Sequence, residues 1–215
     1  GQVHEQMAEL VVVACNGVGT PRLLLNSKSK AFPDGLANRN GMVGKNLMFH
    51  PLTGVAGVFD EPMLGHEGPM ACSILSQEFY ETDPTRDFVR GYGLHSGRST
   101  TPMTYALGGY GVDSPIPWGA EHREAMDNVY PYLAGLTVVS EDLPEEHNCV
   151  TLDPDLTDSD GIAAPKITYR LGDNTRRMLR HGEERAKEIL LAAGAKKVLS
   201  KADDNVWWRA GWHQM

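Results

Sequence analysis

The sequence predicts an α+β fold, a mainly antiparallel sheet with helices preceded by a separate strand–turn–helix unit. Three observations carry that expectation. Apolar stretches at residues 52–59, 88–94 and 132–139 are divided by Gly- and Pro-rich clusters such as Pro115-Ile116-Pro117-Trp118, the pattern of antiparallel strands with long connections. After Asp173-Asn174 the apolar residues recur at helical spacing. Near the start, Leu10-Val11-Val12-Val13-Ala14 is a continuous, β-branched-rich run ending in a glycine-rich turn.

That first run predicts a strand covered on both faces. Cys15-Asn16-Gly17-Val18-Gly19 cannot continue it, and Thr20 then reads as an N-cap with Pro21 at the first helical position, ahead of Arg22-Leu23-Leu24-Leu25. Strand, glycine turn and helix in that order is the arrangement of a nucleotide-binding domain, although a parallel sheet needs more strands than this one. Residues 32–44 are turn-rich and mark a crossing between domains. Residues 121–128 read as a short helix, and Val150-Thr151-Leu152 and residues 166–169 as two strands joined across 153–161. In the long helix Met178, Leu179, Ala186, Ile189, Leu190 and Ala193 form the apolar face, Glu183 and Lys187 an i,i+4 pair, and Gly194 the stop.

Composition narrows the function classes. With 215 residues and 41% hydrophobic content the chain can bury a core. Lys plus Arg number 20 against 28 Asp plus Glu, an acidic excess that repels phosphate backbones and excludes nucleic acid as an expected partner. No run approaches the roughly 18 apolar residues of a membrane span. The three cysteines, Cys15, Cys72 and Cys149, lie far apart and form no CxxC motif, so neither a disulfide framework nor a thiol centre is expected. The eight histidines include no HExxH pair and no zinc-spaced cluster, and no metal site is expected. Asp153, Asp155, Asp158 and Asp160 are spaced like a calcium loop, but that loop needs Gly at its sixth position and Glu at its twelfth; Asp158 and Ala164 stand there. Ser96 lacks the GxSxG elbow of a serine hydrolase. Gly17-Val18-Gly19 lacks the third glycine of a dinucleotide fingerprint, because position 22 is Arg, so a structural turn is favoured over a phosphate cradle. His50 and His181 read as structural histidines.

Three segments together resemble the glucose–methanol–choline oxidoreductases, particularly the gluconate-dehydrogenase-like branch. Residues 8–27, Ala8-Glu9-Leu10-Val11-Val12-Val13-Ala14-Cys15-Asn16-Gly17-Val18-Gly19-Thr20-Pro21-Arg22-Leu23-Leu24-Leu25-Asn26-Ser27, are similar to the family's strand–turn–helix returning to its flavin domain. Val43-Gly44-Lys45-Asn46-Leu47 through His50-Pro51 is similar to the passage leading into its substrate domain. Residues 150–195, followed by Gly211-Trp212-His213-Gln214-Met215, resemble the start of its C-terminal region. Cys15-Asn16 stands where many members have Ala-Gly, and residues 60–140 match by position alone.

The resemblance implies an FAD-dependent oxidoreductase acting on CH–OH groups of an alcohol, sugar or polyol. It implies residues 1–47 as a fragment of a Rossmann-like FAD domain, 48–205 as a substrate domain, and 206–215 as the return carrying the catalytic histidine. His213 would be the general base, and Ala14, Asn16, Gly17 and Thr20 would contribute to cofactor binding. A chain that begins at Gly1 and ends two residues past His213 is expected to be a piece of a longer protein, and by itself not to retain FAD. The electron acceptor and compartment stay open. A second reading also stays open: a non-catalytic β-rich carbohydrate-binding or interaction module in which Tyr110, Trp118, Tyr130 and Tyr132 stack on sugars, although aromatics at such spacing more often build core.

Overall fold

The computed structural model describes residues 4–68, 74–97, 101–108, 116 and 118–200. They fall into two compact units: residues up to Phe49 together with Leu143–Leu171, and His50–Asp142 together with residues from Gly172 onward. The architecture is α+β with a mainly antiparallel sheet.

The second unit holds a five-stranded sheet. Its strands are β1 (Leu52–Val58), β2 (Ile74–Ser76), β3 (Tyr92–Gly97), β4 (Leu133–Ser140) and β7 (Lys197–Ser200), in spatial order β2-β3-β4-β1-β7, and every pairing is antiparallel. The strand expected at 88–94 begins instead at Tyr92, and Phe88 packs as a buried side chain in the loop before it. Two short helices, α2 (Pro102–Gly108) and α3 (Ala120–Asn128), complete one side of this unit.

Helix α4 (Asp173–Ala192) covers a face of the sheet, with Met178, Leu179, Ala186 and Leu190 buried along one stripe. Burying a side chain of that size contributes roughly 1.5–3 kcal/mol, so this stripe is the main tie between helix and sheet. Gly182 lies in its middle, and a Cβ there would stand 2.5 Å from Val138 Cγ1; only glycine lets the helix come this close. The helix ends as its sequence predicts. Gly194 takes φ +99°, its amide reaches the Leu191 carbonyl, and the Ala195 amide reaches that of Leu190, closing a Schellman cap. Two details of the predicted face differ. Ile189 is 42% exposed and Ala193 is exposed past the last turn, whereas Glu183 is buried. Lys187 pairs with Glu184 at 2.7 Å rather than with Glu183.

The first unit contains α1 (Asn16–Asn26) and a hairpin of β5 (Cys149–Thr157) and β6 (Ala163–Thr168). Leu47, Phe49 and Val150 form its core, with Val18 and Tyr169 against them. The passage through Gly44 runs beside β5: the Val150 amide donates to the Gly44 carbonyl at 2.7 Å and the Leu47 amide to that of Asn148 at 2.9 Å. Gly44 has φ +84°, and a Cβ would collide with the Val150 carbonyl, so both backbone and contact require glycine.

The strand expected at residues 10–14 does not form. Among the described residues these have no ladder partner, and Leu10, Val11 and Val12 are 81%, 75% and 78% exposed. A β-branched run favours extended backbone, but a strand exists only by pairing. Nor does the helix start at Thr20-Pro21. It starts at Asn16 and carries Pro21 inside, where the missing N–H gives up one intrahelical bond.

Candidate functional site

The residues proposed from sequence to touch a cofactor converge on the start of α1. Asn16 adopts φ +61°, a left-handed conformation that asparagine tolerates better than most residues. That backbone turns its carboxamide inward, where Oδ1 accepts the amides of Val18 at 2.9 Å and Gly19 at 3.0 Å. The Cys15 amide donates to the Thr20 hydroxyl at 3.1 Å. Asn16 is therefore the physical N-cap, and Thr20, expected in that role, braces the turn from within the helix. Ala14 is exposed just ahead, and Gly17 is half-buried.

This geometry limits what α1 can hold. A helix start binds a phosphate through free first-turn amides, and here Asn16 already occupies two of them. Arg22, farther along the helix, is engaged with Asp158 at 2.7 Å. With two first-turn amides capped by Asn16, the turn has less donor capacity for a phosphate than a free helix start.

Arg22 stands where a dinucleotide motif has its third glycine, and it ties the helix to the hairpin. Its Nε donates to the Ala163 carbonyl at 2.8 Å and its Nη2 to that of Ile162 at 3.1 Å, besides the Asp158 carboxylate. Asp158 Oδ1 accepts the amides of Asp160 and Ile162, so the same carboxylate folds the turn and receives Arg22. Together these contacts hold its carboxyl below the usual carboxylate range, the Arg22 hydrogen bond being the largest cause. The aspartates at 153–160 thus serve as turn builders; Asp153 likewise accepts the amides of Asp155 and Leu156.

In the second unit the two sheet faces differ. Alternation sends Thr53, Val55 and Gly57 of β1 toward α4, where the Thr53 hydroxyl donates to Glu183 Oε1 at 2.5 Å. Glu183 is only 6% exposed. The sequence does carry its signal: residue 183 falls between Leu179 and Ala186 at helical spacing, on the apolar stripe itself. On the opposite face, Ala56 and Leu133 are buried with Tyr105, Ile116 and Tyr130, and Met126 and Val129 pack against them. Tyr130 is accordingly core, as an aromatic at such spacing more often is, and burial pushes the Tyr105 phenol upward. Farther along that face Gly54, Gly93, His95 and Thr137 are half-buried. His95 and Thr137 are opposed across the β3–β4 ladder, so their side chains share the face. A Cβ on Gly93 would stand 3.3 Å from His95 Nε2, which puts the imidazole beside the glycine. Imidazole and hydroxyl each offer donor and acceptor capacity. Periodicity could not single these residues out, because only the ladder register aligns positions 95 and 137.

His181, read as structural, is held in that role. Its Nδ1 meets the Tyr92 hydroxyl at 2.9 Å, and Phe79, Phe88 and Tyr92 surround the ring. Burial, then the nearby Arg185 and Arg86, lowers its pKa, while Asp87 and Glu188 oppose that shift. Burial likewise pushes the Tyr92 phenol upward, so it stays protonated beside the imidazole. His213, with Trp212, lies outside the described residues, as do Tyr110 and Cys72. Trp118 is 80% exposed and stacks on His122 at 5.3 Å. Among the described residues no His, Cys, Asp and Glu cluster could hold a metal ion, and no helix is long and apolar enough to cross a membrane.

No family model matches the chain. It is 40% identical over 216 aligned positions to 2-methyl-1,2-propanediol dehydrogenase of Mycolicibacterium austroafricanum, across 100% of this chain and 39% of that protein. It is 29% identical to the fructose dehydrogenase large subunit of Gluconobacter japonicus, across 92% of this chain and 35% of the relative. With 6'''-hydroxyparomomycin C oxidase of Streptomyces lividus the identity is 26%, across 94% and 34%. The chain therefore spans well under half the length of these curated relatives. Nearly all of it is similar to one part of proteins named as dehydrogenases and oxidases, so its relationship is to oxidoreductases.

Proposed function

We propose that this chain is the substrate-side portion of an FAD-dependent oxidoreductase of the glucose–methanol–choline type, acting on a CH–OH group of a neutral alcohol, sugar or polyol. The observation that carries the reading is the similarity along the whole chain to a diol dehydrogenase, repeated with a fructose dehydrogenase subunit. The half-open sheet face supports it. His95 and Thr137 present hydroxyl-matching groups beside Gly54 and Gly93, with no charged side chain among the four, as suits a neutral hydroxylated substrate.

Bound FAD would supply the hydride acceptor. Ala14, Asn16, Gly17 and Thr20 would approach a neutral part of the cofactor, since two of the first-turn amides are already capped. His213 would take the substrate hydroxyl proton. An imidazole is suited to that work because its neutral form is available near working pH.

The test is direct. The full-length protein, purified and desalted, is expected to show flavin absorbance that bleaches when a diol, sugar or polyol is added without oxygen. The 215-residue chain with added FAD is expected to lose the flavin on desalting. A full-length protein that never holds flavin, or whose flavin no CH–OH donor bleaches, would contradict the proposal.

A further inference from the structure

We infer that Arg22 is a positioning residue: through Asp158 and the carbonyls of Ile162 and Ala163, the β5–β6 turn fixes the orientation of α1 and so sets where Ala14, Asn16, Gly17 and Thr20 stand. No residue of helix α1 is fully buried, although most are half-buried. Of its side chains, Val18 meets the apolar core. The Leu24 carbonyl also accepts the Leu36 amide at 2.9 Å, and the side-chain ties to the β5–β6 hairpin gather at two residues one turn apart. Arg22 makes the three hydrogen bonds to 158, 162 and 163. Asn26 Nδ2 donates to the Arg22 carbonyl at 2.9 Å and also reaches the Ala163 carbonyl at 3.4 Å.

The receiving turn is itself ordered by Asp158, which accepts two of its amides while pairing with Arg22. One carboxylate thus couples the turn's shape to the helix's direction. A planar guanidinium serving three acceptors fixes an orientation that a flexible ammonium cannot. Pulling Arg22 free would leave α1 held by Val18, by the Leu24 carbonyl and by Pro21 beside Gly44, without its charged tie to the β5–β6 turn. The inference rests on the flavin reading for what the positioned residues touch, but not for the clamp.

The experiment uses the full-length protein with R22A, R22K and D158N. D158N leaves an oxygen to accept the turn amides and removes the charge, so the fold is least disturbed. Amide hydrogen exchange is followed across residues 15–19 and, as an internal control, across α4. FAD affinity is measured by titration of the apoprotein. We expect R22A and D158N to speed exchange at Cys15, Val18 and Gly19 about ten-fold and to weaken FAD about ten-fold, the loss of one charge-assisted hydrogen bond. R22K should fall between, and exchange in α4 should not change. Exchange at 15–19 that stays within about two-fold of the parent in both R22A and D158N would overturn the clamp. Faster exchange with unchanged FAD affinity would overturn the positioning role. If the parent binds no FAD at all, the proposed function fails, while the exchange data still decide the clamp.

Discussion

The two long helices of this chain are held in opposite ways. Helix α4 buries Met178, Leu179, Ala186 and Leu190 and comes close to its sheet through Gly182. Helix α1 has no fully buried residue, and its side-chain ties to the β5–β6 hairpin come from one guanidinium and one carboxamide. Burial is non-directional and large, whereas hydrogen bonds near the surface are directional and contribute only about 1 kcal/mol each. A helix held by packing serves stability; a helix held by polar ties serves placement. The residues proposed to meet the cofactor lie on the second kind.

The same substitution in each helix breaks this comparison open. Leu179→Ala, at a fully buried position, should destabilise the 215-residue chain by about 2–5 kcal/mol in urea denaturation. Leu23→Ala, on the 46% exposed side of α1, should stay within about 0.5 kcal/mol. Equal costs would show that α1 is packed after all. Next in size is Gly182→Ala. The added methyl would press on Val138, at a cost of about 1–3 kcal/mol, and Val138→Ala in the same chain should return part of it. Additive losses in the double variant would mean that the helix–sheet approach is not set at this contact.

A smaller effect concerns pH. His181 has a lowered pKa in the folded state, so the unfolded chain takes up its proton first as pH falls. Its contribution is complete above the ordinary imidazole value of 6.5 and is lost as pH falls from there through the folded value. Stability measured from pH 7.5 to 5 should therefore decline, and His181→Gln, which keeps an acceptor for Tyr92 but does not titrate, should flatten that decline. An unchanged slope in the variant would assign the acid sensitivity elsewhere.

The same contrast explains what the sequence made legible. Residues 173–194 could be read because packing leaves a period: apolar residues at three- and four-residue spacing, with a glycine stop. The strands at 52–58 and 133–140 were readable for the same reason. Placement by polar ties leaves no period. Nothing local says that Arg22 meets Asp158, because the partners lie 136 residues apart. Asn16 opens α1 four residues ahead of the obvious Thr20-Pro21 start through a left-handed backbone that propensity does not encode. Residues 10–14 have strand composition without a strand partner. His95 and Thr137 meet only through a register that no single segment carries. Glu183 was misread because a charge on a helix is ordinarily solvated, although its position on the apolar stripe gave the opposite signal.

The proposal that the full-length protein oxidises a CH–OH group with His213 as the base is tested most directly by anaerobic stopped-flow reduction of the flavin. In the full-length protein, His213→Ala should slow flavin reduction by about 10²–10⁴ per bound flavin, because the hydroxyl proton loses its positioned acceptor. Substrate affinity should change less, since that contribution belongs to the transition state. A variant that reduces its flavin within a few-fold of the parent rate, about 1 kcal/mol in barrier, would contradict the claim.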